Sequence, residues 1–98
     1  MSEAQQQRAI LDYLQLKGHF CWRNNSGAFK TEHGSFIRFG TPGSPDIFVL
    51  WGGSLYGIEV KSATRKLSHA QQAFKRSMEA RRGIYLARSL DDVISEGL

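Results

Sequence analysis

Residues 43–62 read GSPDIFVLWGGSLYGIEVKS: two apolar runs meet at Gly52-Gly53, with Asp46 ahead of the first and Glu59 and Lys61 closing the second. Gly-Gly is a favoured centre for a two-residue hairpin turn because both positions tolerate positive φ. With that turn, Trp51 stands opposite Ser54 and Asp46 falls opposite Glu59. Lys61 points to the same face, since strand side chains alternate with period two. A four-residue turn would pair Asp46 with Lys61 and still leave all three on one face.

Directly opposed residues have Cβ atoms about 5 Å apart, so two carboxylates there repel each other. A divalent cation resolves the conflict: Mg²⁺ takes one or two carboxylates, with waters and substrate phosphates completing its shell. A lysine beside it suits orienting or deprotonating a water, or neutralising charge on a phosphate. The plainer reading is an Asp-Glu-Lys charge cluster at a sheet edge. The apolar neighbours Ile47, Val49, Ile58 and Val60 make an idle cluster costly and tilt the balance toward a metal site.

Around this hairpin the chain reads as α-β-(hairpin)-β-β-α-β-α. Ser2 with Gln5 forms a capping box for a helix running to Lys17 and ended by Gly18. HFCWRN reads as a short strand, and AFKTEHGSFIRFG as an exposed hairpin turning at His33-Gly34. Strands at residues 47–51 and 55–61 follow. Ser68 opens a helix expected to close at Gly83, IYLAR is a last strand, and Ser89 caps a short final helix. The order predicts one α/β domain over residues 1–98, helices flanking a mixed sheet.

The net charge of +4 is unevenly placed. Residues 1–60 hold five basic and five acidic side chains, whereas residues 61–88 hold eight basic ones against Glu79 alone. Such an excess favours a polyanion or, equally, a solvated helix face. The lone Cys21 has no partner for a disulfide or zinc pair and reads as a buried structural thiol. His19, His33 and His69 lack zinc spacing, and neither a P-loop nor a G-x-S-x-G elbow is present. The start MSEAQQQR does not read as a signal peptide and no run is long enough to span a membrane, so a cytoplasmic protein with no membrane partner is expected.

With these segments in place, SPD followed by EVK resembles the PD-(D/E)XK nuclease signature. The ordered set SEAQQQRAILDYL, WRNNSG, GSPDI, IEVKS, LSHAQQAF and GIYLARSLDDV resembles its VRR-NUC branch over nearly the whole chain. The resemblance implies a restriction-endonuclease-like core and a phosphodiesterase acting on DNA with Mg²⁺ or Mn²⁺. It also implies a homodimer cutting branched DNA such as Holliday junctions, in a bacterial or phage-infected cell. It makes Asp46 and Glu59 the metal-binding acids, with the backbone carbonyl of Val60 beside them, and Lys61 the catalytic lysine.

The family's first-helix acid falls on Glu3. Glu3, Gln7, Ile10 and Leu14 share one helical stripe, so Glu3 lies in line with the apolar face, although a first-turn Glu also suits the helix dipole. A family Gln falls on Gln71 or Gln72. Helical phase selects Gln71, which shares a stripe with Phe74 and Met78 and also completes a capping box with Ser68. Arg23, Asn24 and Asn25 are candidates to contact phosphate or to hold the active-site edge, with turn chemistry an equal account of the Asn pair, and Arg65, Lys66, Lys75 and Arg76 are candidate backbone-phosphate contacts. Phe29, Phe36 and Phe39 read as one aromatic stripe, fitted to a core, a base-stacking platform or a dimer surface. The competing functions are a non-catalytic DNA-binding module with a nuclease shape and a nuclease acting on linear duplex or DNA ends.

Overall fold

The first helix starts where the sequence places its cap. In the computed structural model, which describes residues 2–61 and 66–98, Ser2 Oγ accepts the Gln5 N–H at 3.1 Å and Gln5 Oε1 accepts the Ser2 N–H at 2.9 Å. Helix α1 spans Glu3–Leu16 and stops at Lys17, followed by Gly18 at φ 80°. Strands β1 (Phe20–Arg23), β2 (Gly27–Lys30), β3 (Phe36–Phe39), β4 (Ile47–Trp51) and β5 (Ser54–Val60) follow, then α2 (His69–Ala80), β6 (Ile84–Arg88) and α3 (Leu90–Ser95). Ser68 and Ser89 cap α2 and α3 with the same reciprocal box as Ser2.

The main sheet has the order β1-β4-β5-β6, antiparallel except for the parallel β5–β6 pair, so it is mixed and flanked by helices. Between β4 and β5, Trp51 stands opposite Ser54 and Ile47 opposite Ile58. That is the register a two-residue Gly-Gly turn dictates, with Gly52 and Gly53 both at positive φ. Strands β2 and β3 pair only with each other, as a separate two-stranded sheet.

Period-two alternation divides the main sheet into two faces. Ile47, Val49, Ile58, Val60 and Leu86 turn to one side, where they form the core with Ile10 and Leu14 of α1, Val93 of α3 and the terminal Leu98. Cys21, half-buried, packs at the margin of this core, and burial pushes its thiol up. The Tyr13 hydroxyl donates to the Leu98 carbonyl at 3.0 Å and ties α1 to the chain end. The opposite face carries Gly57, Glu59 and Tyr85 under α2, with the Phe74 ring 6.4 Å from that of Tyr85. Gly57 is where Pro45 and Met78 press closest: a Cβ there would come within 2.5 Å of Pro45 Cγ.

Helix α2 ends earlier than its glycine suggests. Ala80 is its last residue, Arg81 caps it, and Arg82, not Gly83, takes the left-handed conformation at φ 65°. Gly83 is required for space instead, with Met78 atoms 3.2–3.3 Å from where a Cβ would stand. Among the described residues no helix is long and apolar enough to cross a membrane.

Candidate active site

Asp46 lies one residue before β4, beyond the last rung of the β4–β5 ladder. Its main chain extends the β1–β4 pairing, the Asn24 N–H donating to the Asp46 carbonyl at 2.7 Å. Its side chain replaces the missing β4–β5 rung: Oδ2 accepts the Val60 N–H at 2.9 Å. Asp46 is thus fixed by backbone groups from the strands on both sides. Val60, named for its carbonyl, is the last residue of β5 and lies opposite Arg88 in the parallel ladder.

Glu59 is 7% exposed and lies opposite Ala87 of β6. Its Oε1 accepts the Gln71 Nε2–H at 2.8 Å. Its Oε2 is buried with no hydrogen-bond partner among the described residues. Burial, then the Asp46 charge, pushes the Glu59 carboxyl up to about 7, and burial raises Asp46 as well. The Lys61 charge pulls both down and the Glu3 charge raises both, so all four groups share one electrostatic neighbourhood. Lys61 follows β5 directly and is half-buried; Glu3 is half-buried in the first turn of α1.

Gln71 plays both parts its sequence allows. Its Oε1 accepts the Ser68 N–H at 2.8 Å in the capping box while its Nε2 reaches Glu59. Gln72 turns away and donates to the Leu67 carbonyl at 3.1 Å. The loop before Asp46 is held against this cap. Gly43, at φ 80°, lies so close to α2 that a Cβ would stand 2.1 Å from the Ala70 carbonyl oxygen. The Tyr85 hydroxyl donates to the Gly43 carbonyl at 3.3 Å, and burial followed by the Glu59 and Asp46 charges keeps that phenol protonated.

Asn24 is engaged within the chain, as a residue holding the active-site edge would be. Its Nδ2 donates to Ser44 Oγ and to the Pro45 carbonyl, both at 2.9 Å, which occupies both amide hydrogens within the chain. It positions the loop that carries Asp46. Arg23, exposed at the end of β1, lies near enough to lower Asp46. Lys66 and Arg76 are exposed, Lys75 pairs with Glu79 at 2.6 Å, and Arg65 lies outside the described residues. Gly43, Ser44 and Tyr85 are the contributors that sequence reasoning missed. Gly43 and Ser44 stood in plain view beside Pro45-Asp46, but their duty depends on where α2 packs.

No three His, Cys, Asp or Glu side chains among the described residues converge as a ready-made metal cluster. The donor set is two carboxylates, Asp46 and Glu59, and it fits a hard cation that keeps waters in its shell. The observation behind that fit is the buried Oε2 of Glu59, an acceptor with no hydrogen-bond partner among the described residues. Asp46 and Glu59 are not among the residues that line the best-formed groove. An open apolar groove of about 630 Å³, lined by Leu50, Leu55, Phe74, Met78, Arg81 and Arg82, sits toward the other end of β5. Neither protein-family models nor curated proteins gave a match to this chain.

Proposed function

We propose that this chain is a divalent-metal-dependent, structure-specific DNA endonuclease with a PD-(D/E)XK core of the VRR-NUC type, acting on branched DNA such as four-way junctions. The observation that carries the reading is the Asp46–Glu59 pair. Two partly buried carboxylates are held together by Val60 and Gln71, one with a bare oxygen, beside the cation of Lys61. Two adjoining acids whose ionisation is suppressed by burial and mutual repulsion are the pattern of a site awaiting positive charge.

Asp46, Glu59 and the Val60 carbonyl are the residues that would hold Mg²⁺ or Mn²⁺. Such an ion, when bound, polarises a phosphoryl oxygen and makes a bound water a better nucleophile. Lys61 orients the attacking water or stabilises charge developing on the phosphate. Gln71 holds Glu59 through Oε1 and leaves Oε2 without a partner among the described residues. Glu3 adds a negative charge that raises the site's appetite for cations. Arg23, Lys66 and Arg76 bind backbone phosphates, which positions the strand without reading its sequence.

A two-fold dimer goes with this reading, since each chain holds one site and a junction needs two cuts. Helix α2 covers only the β5–β6 half of its sheet face. On the β1–β4 half, Phe20, Trp22 and Leu50 remain 68%, 39% and 47% exposed. With aromatic side chains burying about 150–250 Å² each, this face offers roughly 300 Å² per copy. A pair would then bury about 600 Å² of apolar surface, close to the non-polar share of a small standard interface.

The test is incubation with labelled four-way junction, flap, splayed and linear DNA in Mg²⁺, Mn²⁺ or chelator. Metal-dependent cutting of branched DNA that disappears in Lys61→Ala supports the proposal. Cutting that persists in chelator or in Lys61→Ala overturns the mechanism. Equal cutting of linear and branched DNA removes the junction preference, and junction binding without cleavage in any metal replaces it with a binding module.

A further inference from the structure

The β2–β3 hairpin takes no part in the site chemistry, yet its register sorts its side chains in a way the sequence concealed. Phe29 stands opposite Ile37 and Gly27 opposite Phe39, so Phe29, Ile37 and Phe39 line one face. Ala28 stands opposite Arg38 and Lys30 opposite Phe36, and these four line the other. The aromatic stripe expected from sequence is therefore divided, with Phe36 on the far side. Over its paired residues that second face presents two cations, Lys30 and Arg38, and a phenyl ring 72% exposed, with Glu32 in the turn beyond them.

The hairpin is rooted at the acid cluster. Its entry follows Arg23 and Asn24, and its exit leads through residues 41–45 to Asp46. Gly40, at φ 73°, lets the two ends meet: a Cβ there would lie 2.6 Å from the Asn25 carbonyl oxygen. Asn24 then locks the exit loop through Ser44 and Pro45. From this root the Lys30–Phe36 pair lies three residues outward, about 10 Å at the usual rise of a strand. That reach matches about three nucleotides of a stacked strand.

Resting on DNA as the substrate of the proposed function, we infer that this face is a branch-point arm. Lys30 and Arg38 hold the phosphates next to the cleaved bond, and Phe36 stacks on an unpaired base. Charge complementarity selects the polyanion. The ring selects the unpaired base, because entering an intact duplex requires unstacking that a branch or flap has already undergone. Arg38 and Phe36 are next-nearest neighbours on one strand face, the interleaving of cation and aromatic that single-strand binders use.

The experiment measures binding of the full chain in chelator to a four-way junction, a flap and a linear duplex. The branched DNAs carry 2-aminopurine at the unpaired or branch-point position. Phe36→Ala is expected to weaken branched binding about 10-fold, to abolish the 2-aminopurine quenching, and to leave linear duplex binding within about 2-fold. Lys30→Ala and Arg38→Ala are expected to weaken all three DNAs alike and to lower the salt slope by about one each. Phe29→Ala, on the opposite face, is the control and leaves branched binding unchanged. Unaltered junction affinity and quenching in Phe36→Ala overturn the arm, as does an equal loss on linear duplex. Phe36-dependent junction binding by a chain that cuts nothing in Mg²⁺ or Mn²⁺ upholds the arm and overturns the nuclease. Absence of binding to any DNA overturns both.

Discussion

Gln71 donates to Glu59 across 2.8 Å while its own carbonyl oxygen accepts the Ser68 N–H, so one side chain both starts a helix and holds a site carboxylate. The two duties separate under substitution. Gln71→Glu keeps an acceptor for the cap but replaces the donor facing Glu59 with a second acid. Cleavage is expected to fall at least 100-fold at pH 8, with the helical signal in circular dichroism retained. Gln71→Ala removes both duties and is expected to cost about 1–3 kcal/mol of stability in urea unfolding as well.

The metal-free protein is expected to lose stability as pH rises from about 5 to about 8. The Glu59 carboxyl is pushed up to about 7 in the folded chain, by burial first and the Asp46 charge second, against 4.5 as its ordinary value. Between those values the folded state binds the extra proton, so raising the pH favours unfolding, by on the order of 2–3 kcal/mol. Urea midpoints across this range check the slope, and Glu59→Gln is expected to flatten it. Adding Mg²⁺ at pH 8 is expected to restore the midpoint in the parent protein and not in Glu59→Gln.

Gly43→Ala is expected to be among the most damaging small substitutions. The new methyl meets the Ala70 carbonyl at 2.1 Å on a backbone already at positive φ, so the loop must lift from α2. A loss of about 2–4 kcal/mol is expected. At Gly53, where φ is also positive but nothing lies within 4 Å, the same change is expected to cost only about 1–2 kcal/mol. Thermal melts of the two variants check the contrast.

Asp46→Asn leaves an oxygen able to accept the Val60 N–H, so the sheet is expected to persist while cleavage falls about 1,000-fold or more. Lys61→Ala is expected to reduce cleavage at least 100-fold and to change junction affinity by less than about 3-fold. Gel-shift and single-turnover cleavage on the same DNA separate the two effects.

Phe20→Glu places a charge at the most exposed ring of the uncovered aromatic face. Sedimentation velocity is expected to show a dimer for the parent chain and a monomer for this variant. A parent chain that stays monomeric throughout the micromolar range defeats the two-fold arrangement.

The hairpin carrying the acids was legible because its turn is local: Gly52-Gly53 fixes the register and therefore the distance in sequence at which Asp46 and Glu59 meet. The three serine caps and the phase that turns Gln71 rather than Gln72 inward were legible for the same reason. Each is settled within one helical turn. Ile10 and Leu14 are buried in line with a half-buried Glu3, as the helical stripe required. What escaped depends on distant contacts. Tyr85 joins the site only because β6 lies parallel to β5, a pairing that nothing near either strand announces. For Asn24 the sequence leaves a phosphate contact, an edge-holding part and a turn open together, because the choice depends on the 44–45 loop that it bonds. Phe29 and Phe36 looked alike as aromatics of one hairpin, but the register of its two strands puts them on opposite faces. Gly83 has the position of a helix stop in the sequence, whereas Arg82 makes the turn and Met78 claims the space beside the glycine.

The bond from Val60 to Asp46 changes what the presence of each charged residue is worth as a record of selection. Asp46 completes the ladder between two strands, so on the proposed function a descendant that had ceased to cut would still be destabilised by losing it. Lys61 stands beyond the last residue of β5 and completes no rung. In a lineage drifting toward a silent scaffold, the lysine would erode first and the aspartate last. On the proposed function, the loss of Lys61 rather than of Asp46 would mark a chain that no longer cuts.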